Sequence, residues 1–93
     1  MAETGKCILE VRGKTYIDGP CPVFMYPDGS FMVGTDGVGR MLKHFAQVNI
    51  DDRGQGEAFW NAGDGSHAHN PLGRVKRKGA CWINSSAKIC AWK

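Results

Sequence analysis

One stretch decides how this chain folds: Ala80-Cys81-Trp82-Ile83-Asn84-Ser85-Ser86-Ala87-Lys88-Ile89-Cys90-Ala91-Trp92. Apolar, aromatic and β-branched residues flank two serines, a pattern typical of two strands joined by a short turn. With a two-residue turn at Ser85-Ser86, counting outward places Cys81 directly opposite Cys90. The pair falls on a non-hydrogen-bonded position of the hairpin, where side chains approach most closely. The hairpin therefore predicts a Cys81–Cys90 disulfide.

The two remaining cysteines, Cys7 and Cys21, are then expected to form a second disulfide. Four cysteines allow three connectivities, and the choice rests on the hairpin. Four cysteines in 93 residues, with no C-x-x-C pair, are typical of a disulfide framework in an oxidising compartment. We therefore expect a periplasmic or secreted protein whose signal peptide has been removed.

Turn-forming residues punctuate the rest of the chain. Glycine supplies 13 of the 93 residues, about twice its usual share, and Pro27-Asp28-Gly29-Ser30 is the clearest turn. Two prolines within Asp18–Pro22 predict a corner, because proline is excluded from central strands. Residues 40–50 suit a helix or a strand, and their aromatic and β-branched side chains favour a strand from about Met41.

These features predict one all-β domain over residues 1–93, with residues 1–5 as a disordered tail. We expect a small antiparallel β-barrel or sandwich of about eight short strands, stapled by the two disulfides. No apolar run approaches the ~20 residues that span a membrane as a helix.

One basic cluster stands out in the sequence, formed by Arg74, Lys76, Arg77 and Lys78. If this segment is a strand, Arg74, Lys76 and Lys78 share one face, which could meet phosphate, an acidic protein or an anionic glycan. The alternative is a solvent-exposed edge strand, whose charged side chains prevent pairing with the edge of another sheet. The net charge of +3 is small, and exposed aromatics do not interleave with the basic residues, so nucleic acid is not expected as a partner.

A polar segment around residues 64–69 carries a second set of candidates. We expect Ser66, His67 and His69 to contact a partner, because long polar loops on rigid scaffolds often carry binding. A zinc site needs three or four ligands, so neither a metal nor another cofactor is predicted. Asp64, Ser66 and His67 are neighbours on one loop and cannot form a catalytic triad, which predicts a non-enzymatic protein.

The two tryptophans of the final hairpin, Trp82 and Trp92, are predicted to lie on opposite faces of it. Trp82 faces away from Cys81, whereas Trp92 shares the face of the disulfide, because successive side chains of a strand alternate. Both are inside only if both faces of the hairpin are covered. One exposed tryptophan on a stapled hairpin would provide an anchor for a partner.

Several short motifs support a resemblance to known proteins. The chain contains Asp-Gly-Pro-Cys (18–21), Asp-Gly-Ser-Phe (28–31), Phe-Trp-Asn (59–61), Ser-His-Ala-His (66–69), Pro-Leu-Gly (71–73) and Gly-Ala-Cys-Trp (79–82). This pattern resembles small exported, disulfide-bonded proteins of alphaproteobacteria. More loosely, the chain is similar to the periplasmic inhibitors of c-type lysozyme, in which a loop offers Ser and Lys side chains to the catalytic carboxylates. Ser85-Ser86-Ala87-Lys88 resembles the Ser-Ala-Ser-Gly segment of that family, without its following Gly and Tyr.

Together these observations predict a periplasmic protein-binding module, most concretely an inhibitor of a cell-wall hydrolase such as c-type lysozyme. The resemblance implies that the segment with Ser86 and Lys88 would enter the cleft of the hydrolase. Lys88 or a protonated histidine such as His67 could pair with a catalytic carboxylate, and Ser66 or Ser86 could form a hydrogen bond beside it. The alternative is a glycan or anionic-ligand binding module that uses the basic strand and an exposed tryptophan.

Overall fold

Eight antiparallel strands close into a barrel in the computed structural model, which describes residues 2–35, 41–61 and 70–92. Each strand pairs with the next in sequence, and the last pairs with the first. The strands are β1 (Ala2–Val11), β2 (Lys14–Met25), β3 (Phe31–Thr35), β4 (Met41–Asp52), β5 (Gln55–Trp60), β6 (Asn70–Lys78), β7 (Cys81–Ile83) and β8 (Ala87–Trp92). The predicted all-β class is confirmed, as a barrel rather than a sandwich.

Alternation along the strands fills the interior of the barrel. On β5, Gly56, Ala58 and Trp60 are buried, while the residues between them are partly exposed. An eight-stranded barrel is just wide enough for its inward side chains to fill it. The largest fully buried members of this core are aliphatic: Leu9, Val23, Val33, Val48, Val75 and Ile89. In the described ranges, no helix is long and apolar enough to cross a membrane.

The final hairpin forms as predicted. The amide of Asn84 donates to the carbonyl of Ala87 at 3.0 Å, and the amide of Ala91 donates to the carbonyl of Ala80 at 3.1 Å. Alternation between these two hydrogen-bonded pairs leaves Cys81 and Cys90 as a non-hydrogen-bonded pair. They lie directly opposite each other, with their Cα atoms 4.0 Å apart.

Both predicted disulfides are present, and they lie on opposite sides of the barrel wall. Cys7 and Cys21 are buried within the core cluster and join β1 to β2 diagonally, since Cys7 lies opposite Gly19 in the register. Cys81 and Cys90 lie on the outer side of the wall, because the next pair in the register, Trp82 and Ile89, belongs to the core cluster and successive side chains alternate. Cys81 is half-buried there, and Cys90 is covered from solvent. Two disulfides are compatible with an oxidising, extracellular compartment.

The corner predicted at Asp18–Pro22 is wrong, because β2 continues through both prolines. β3 pairs only with Val23–Met25, so Pro20 and Pro22 have β1 on one side and no paired neighbour from β3 on the other. A proline is accepted in a strand where its missing N–H faces an unpaired side.

The start of β1 also differs from the expectation. Residues 2–5, which the sequence predicted as part of a disordered tail, pair with residues 21–24 of β2. Their composition has no apolar alternation, but backbone hydrogen bonds to a long partner strand do not require it. The strand expected from about Met41 is confirmed, and it runs to Asp52.

One glycine sets how closely β4 and β5 approach. A Cβ atom at Gly56 would lie 2.5 Å from the carbonyl oxygen of Asn49 and 3.2 Å from the Cα of Ile50. Both are backbone atoms that cannot move independently of the strand. The glycine-rich composition therefore partly reflects close packing between strands as well as turns.

Because one disulfide is inside and the other outside, their removal is expected to have unequal costs. Each link closes a loop of similar length, with sequence separations of 14 and 9 residues, so the entropic part is about 3 kcal/mol for each. The C7A/C21A variant should lose a further ~1–2 kcal/mol, because it also leaves a cavity in the core. Urea unfolding of both double variants measures the difference. A larger loss for C81A/C90A would contradict the placement of the disulfides.

Candidate functional site

The outer side of β6, β7 and β8 brings three lysines together. The register places Lys76 opposite Ile83, and Ile83 opposite Lys88. Lys78 lies opposite Cys81 in the next outward row. All three lysines are exposed. Strands lie about 4.8 Å apart and alternate residues about 7 Å apart, so the three lysines are separated by about 7–12 Å.

Barrel closure adds β1 to the same surface. Lys6 of β1 lies opposite Trp92 of β8, and its ammonium lies 5.6 Å from the centre of the Trp92 ring. Trp92 is 39% exposed, whereas Trp60 and Trp82 are buried in the core. We call the side chains of Lys6, Lys76, Lys78, Lys88 and Trp92 the basic face.

The lysines of the basic face form no ion pair with any residue that the structure describes. Within the described part of the chain, no carboxylate lies within 4.0 Å of Lys76, Lys78 or Lys88. Glu10 lies opposite Lys88 in the register between β1 and β8 and is the acidic neighbour of this surface. Cys81 and Ile83, both half-buried, form its partly apolar centre. Such a surface can attract an anion and pack against it.

Arg74 was expected to act with Lys76 and Lys78, but it is engaged elsewhere. It projects on the same outer face and forms a bidentate pair with Asp51, with a further hydrogen bond of 3.1 Å to Oε1 of Gln55. Glu57 lies 3.9 Å away. Hydrogen bonding from Arg74 lowers the pKa of the Asp51 carboxyl below its usual value. The charge of Arg74 is therefore compensated.

Asn84 holds the basic strand against the final hairpin. Its Nδ2 donates to the carbonyls of Leu72 and Arg74 in β6, at 2.8 and 3.0 Å. Its Oδ1 accepts from the amides of Ser86 and Ala87, each at 2.7 Å. This one side chain closes the turn and fixes β6 beside the short strand β7.

Ser86, another predicted partner-binding residue, does not belong to the basic face. Ser86 lies in the two-residue turn, where its carbonyl accepts a hydrogen bond of 2.7 Å from the Arg12 amide. Ser66, His67 and His69 lie outside the described residues. Among the residues that are described, no group of three His, Cys, Asp or Glu side chains could hold a metal ion.

Two residues of the site were not predicted from the sequence. Lys6 joins the basic face only because β1 pairs with β8, a contact between the two ends of the chain that has no local signal. Asn84 did have one, since an asparagine before a two-residue turn often accepts hydrogen bonds from the turn amides. Its bonds to β6, however, depend on the sheet order.

Replacing Asn84 with alanine should destabilise the protein, because it removes four hydrogen bonds and leaves backbone groups in need of partners. We expect N84A to lower the free energy of unfolding by about 2–4 kcal/mol. S85A, at the exposed adjacent position, is the matched control and should change stability by less than about 0.5 kcal/mol. Urea unfolding compares the two variants, and equal stabilities would refute the clamping role of Asn84.

Comparison with known proteins supplies no relative from which a function could be transferred. No protein-family model, curated protein or solved structure matches the chain significantly. The candidate function therefore rests on the geometry of the basic face.

Proposed function

We propose that the protein is a non-enzymatic binding module that takes an anionic glycan on the basic face, in an oxidising compartment such as the periplasm. The observation that carries the proposal is the grouping of Lys76, Lys78 and Lys88, exposed and without ion pairs in the described residues, beside the exposed Trp92. Of the two functions considered from the sequence, this geometry favours the binding of an anionic ligand.

The chemistry of the basic face fits a charged sugar polymer. Lysine ammonium groups are mobile point charges that accept carboxylates and sulfates from several directions. The flat indole of Trp92 offers an apolar surface on which one side of a sugar ring can pack. The side chains project from the wall of a closed barrel, in which a disulfide joins β7 to β8. The backbone is therefore already ordered, and little conformational entropy is lost on binding.

Inhibition of a cell-wall hydrolase stays a prediction. It requires a loop that enters a cleft, and the described candidate, Ser85-Ser86, is a two-residue turn held by Asn84. Lys88 lies behind this turn, on the outer side of β8. The segment with Ser66, His67 and His69 lies outside the described residues, so the geometry gives this function no specific support.

Loss of Lys76, Lys78 and Lys88 should weaken binding to a polyuronate. For the K76Q/K78Q/K88Q variant we expect affinity for polygalacturonate to fall about 10- to 100-fold at low salt. The slope of log affinity against log salt should become shallower by about 2. Isothermal titration calorimetry over a series of salt concentrations measures both quantities.

The matched control removes the same number of positive charges away from the basic face. K14Q/K43Q/R53Q replaces residues of β2, β4 and the β4–β5 turn and should retain affinity within about threefold. Equal losses in the two triple variants would show that only net charge matters, which contradicts a defined site. W92A should lower affinity for polygalacturonate about fivefold without changing the salt slope. The same variant should bind polyglutamate, an anionic polymer without sugar rings, as the wild type does.

Releasing Arg74 from its carboxylate partner should strengthen the binding of the same polymer. In D51N the bidentate pair is lost and only the longer contact of 3.9 Å to Glu57 remains, so the guanidinium, on the same strand as Lys76, becomes more available to the ligand. We expect a gain of about two- to fivefold in affinity for polygalacturonate. D52N removes the same charge from the neighbouring residue, which forms no ion pair with Arg74 within 4.0 Å. An equal gain in D52N would assign the effect to net charge and not to Arg74.

A further inference from the structure

A cavity of about 290 Å³ opens at one end of the barrel, on the inner side of the wall and away from the basic face. Its deepest residues belong to the core: Val23, Phe31 and Trp82 are all less than 10% exposed. Met25 and Ile50, which are partly buried, continue the apolar lining toward the mouth. The remaining lining residues are small or polar: Gly29, Gly79, Ala80, Ala91 and Arg77.

Arg77 is the charged residue in the lining of this cavity. It lies two positions after the buried Val75 on β6 and opposite the inward Trp82, so the alternation that buries Val75 directs Arg77 to the inner rim. Its Nε donates to the carbonyl of Gly79 at 3.2 Å. Within the described ranges, no carboxylate lies within 4.0 Å of its guanidinium.

Arg77 at the rim of the cavity differs from Arg74 in having no carboxylate partner among the described residues. Arg74, on the outer side of the same strand, holds Asp51 through two parallel hydrogen bonds. A guanidinium prefers this bidentate arrangement with a planar carboxylate. Arg77 presents the same fork beside an apolar cavity and has no such partner among the described residues.

We propose that the cavity binds a small apolar carboxylic acid, with its hydrocarbon part among Phe31, Ile50 and Trp82 and its carboxylate on Arg77. Small-molecule sites combine an apolar lining with a few placed polar groups, as this cavity does. A volume of about 290 Å³ lies near the lower end of the ~300–1,000 Å³ typical of such sites. It limits the ligand to a short acyl chain or a single ring.

Octanoate is a suitable probe because it has one carboxylate and a short chain. In a titration followed by two-dimensional NMR, we expect saturable shifts of the Trp82 indole and the Met25 methyl resonances. R77Q should weaken octanoate binding about tenfold, since it removes the charge-assisted contact. R53Q removes an arginine from the adjacent β4–β5 turn, outside the cavity lining, and should leave the affinity unchanged.

Two further comparisons separate the contribution of charge to octanoate binding from that of apolar burial. Octanol, the neutral analogue, should bind the wild type more weakly than octanoate does. Its affinity for R77Q should equal its affinity for the wild type. A91F keeps Arg77 but fills the cavity, and it should abolish the octanoate shifts while the spectrum remains that of a folded barrel. Equal octanoate affinity in the wild type and R77Q, or no saturable shift below the critical micelle concentration, would overturn the proposal.

Discussion

Pairing of the first strand with the last is the contact on which the rest of the structure depends. Six residue pairs join Lys6–Val11 of β1 to Ala87–Trp92 of β8. This ladder removes the two edges that an open sheet would expose. It also completes the core, since Leu9 and Ile89, both fully buried, lie opposite each other across it. The same closure brings Lys6 beside Trp92 and the lysines of β6 and β8, so the core and the basic face rest on one interaction.

β6 shows how a closed sheet lets one strand serve two different surfaces. Arg74, Lys76 and Lys78 project outward, while Val75 and Arg77 project inward. The two arginines are three residues apart, and only the outer one has a carboxylate partner among the described residues. The alternation of side chains along β6 thus places a charged surface on the outer side of the wall and a small apolar cavity on the inner side. Asn84, which bonds to two carbonyls of β6, keeps both surfaces in register with the final hairpin.

The sequence predicted best where contacts are local. The hairpin at Ser85-Ser86 follows from residues within a few positions of one another, and so does its disulfide. The common face of Lys76 and Lys78 follows from alternation along one strand. The corner at Asp18–Pro22 was wrong because the tolerance of β2 for proline depends on how short β3 is. Lys6 and the partner of Arg74 could not be found locally, since they depend on contacts between distant parts of the sheet. An apolar cavity with a charged rim likewise has no signature along the chain.

The sequential strand order has a topological consequence for the inner disulfide. Trp92 pairs with Lys6, and Ala2 is only four residues further along β1, so a short linker could join the two ends of the chain. The barrel would then be a ring of hairpins that could be opened at the exposed Arg12–Gly13 turn, giving a circular permutant that begins with β2. In that permutant Cys7 and Cys21 would no longer close a hairpin but would enclose nearly the whole chain. Because the entropy removed by a cross-link grows with the loop it closes, the same bond would stabilise the permuted barrel more than the natural one.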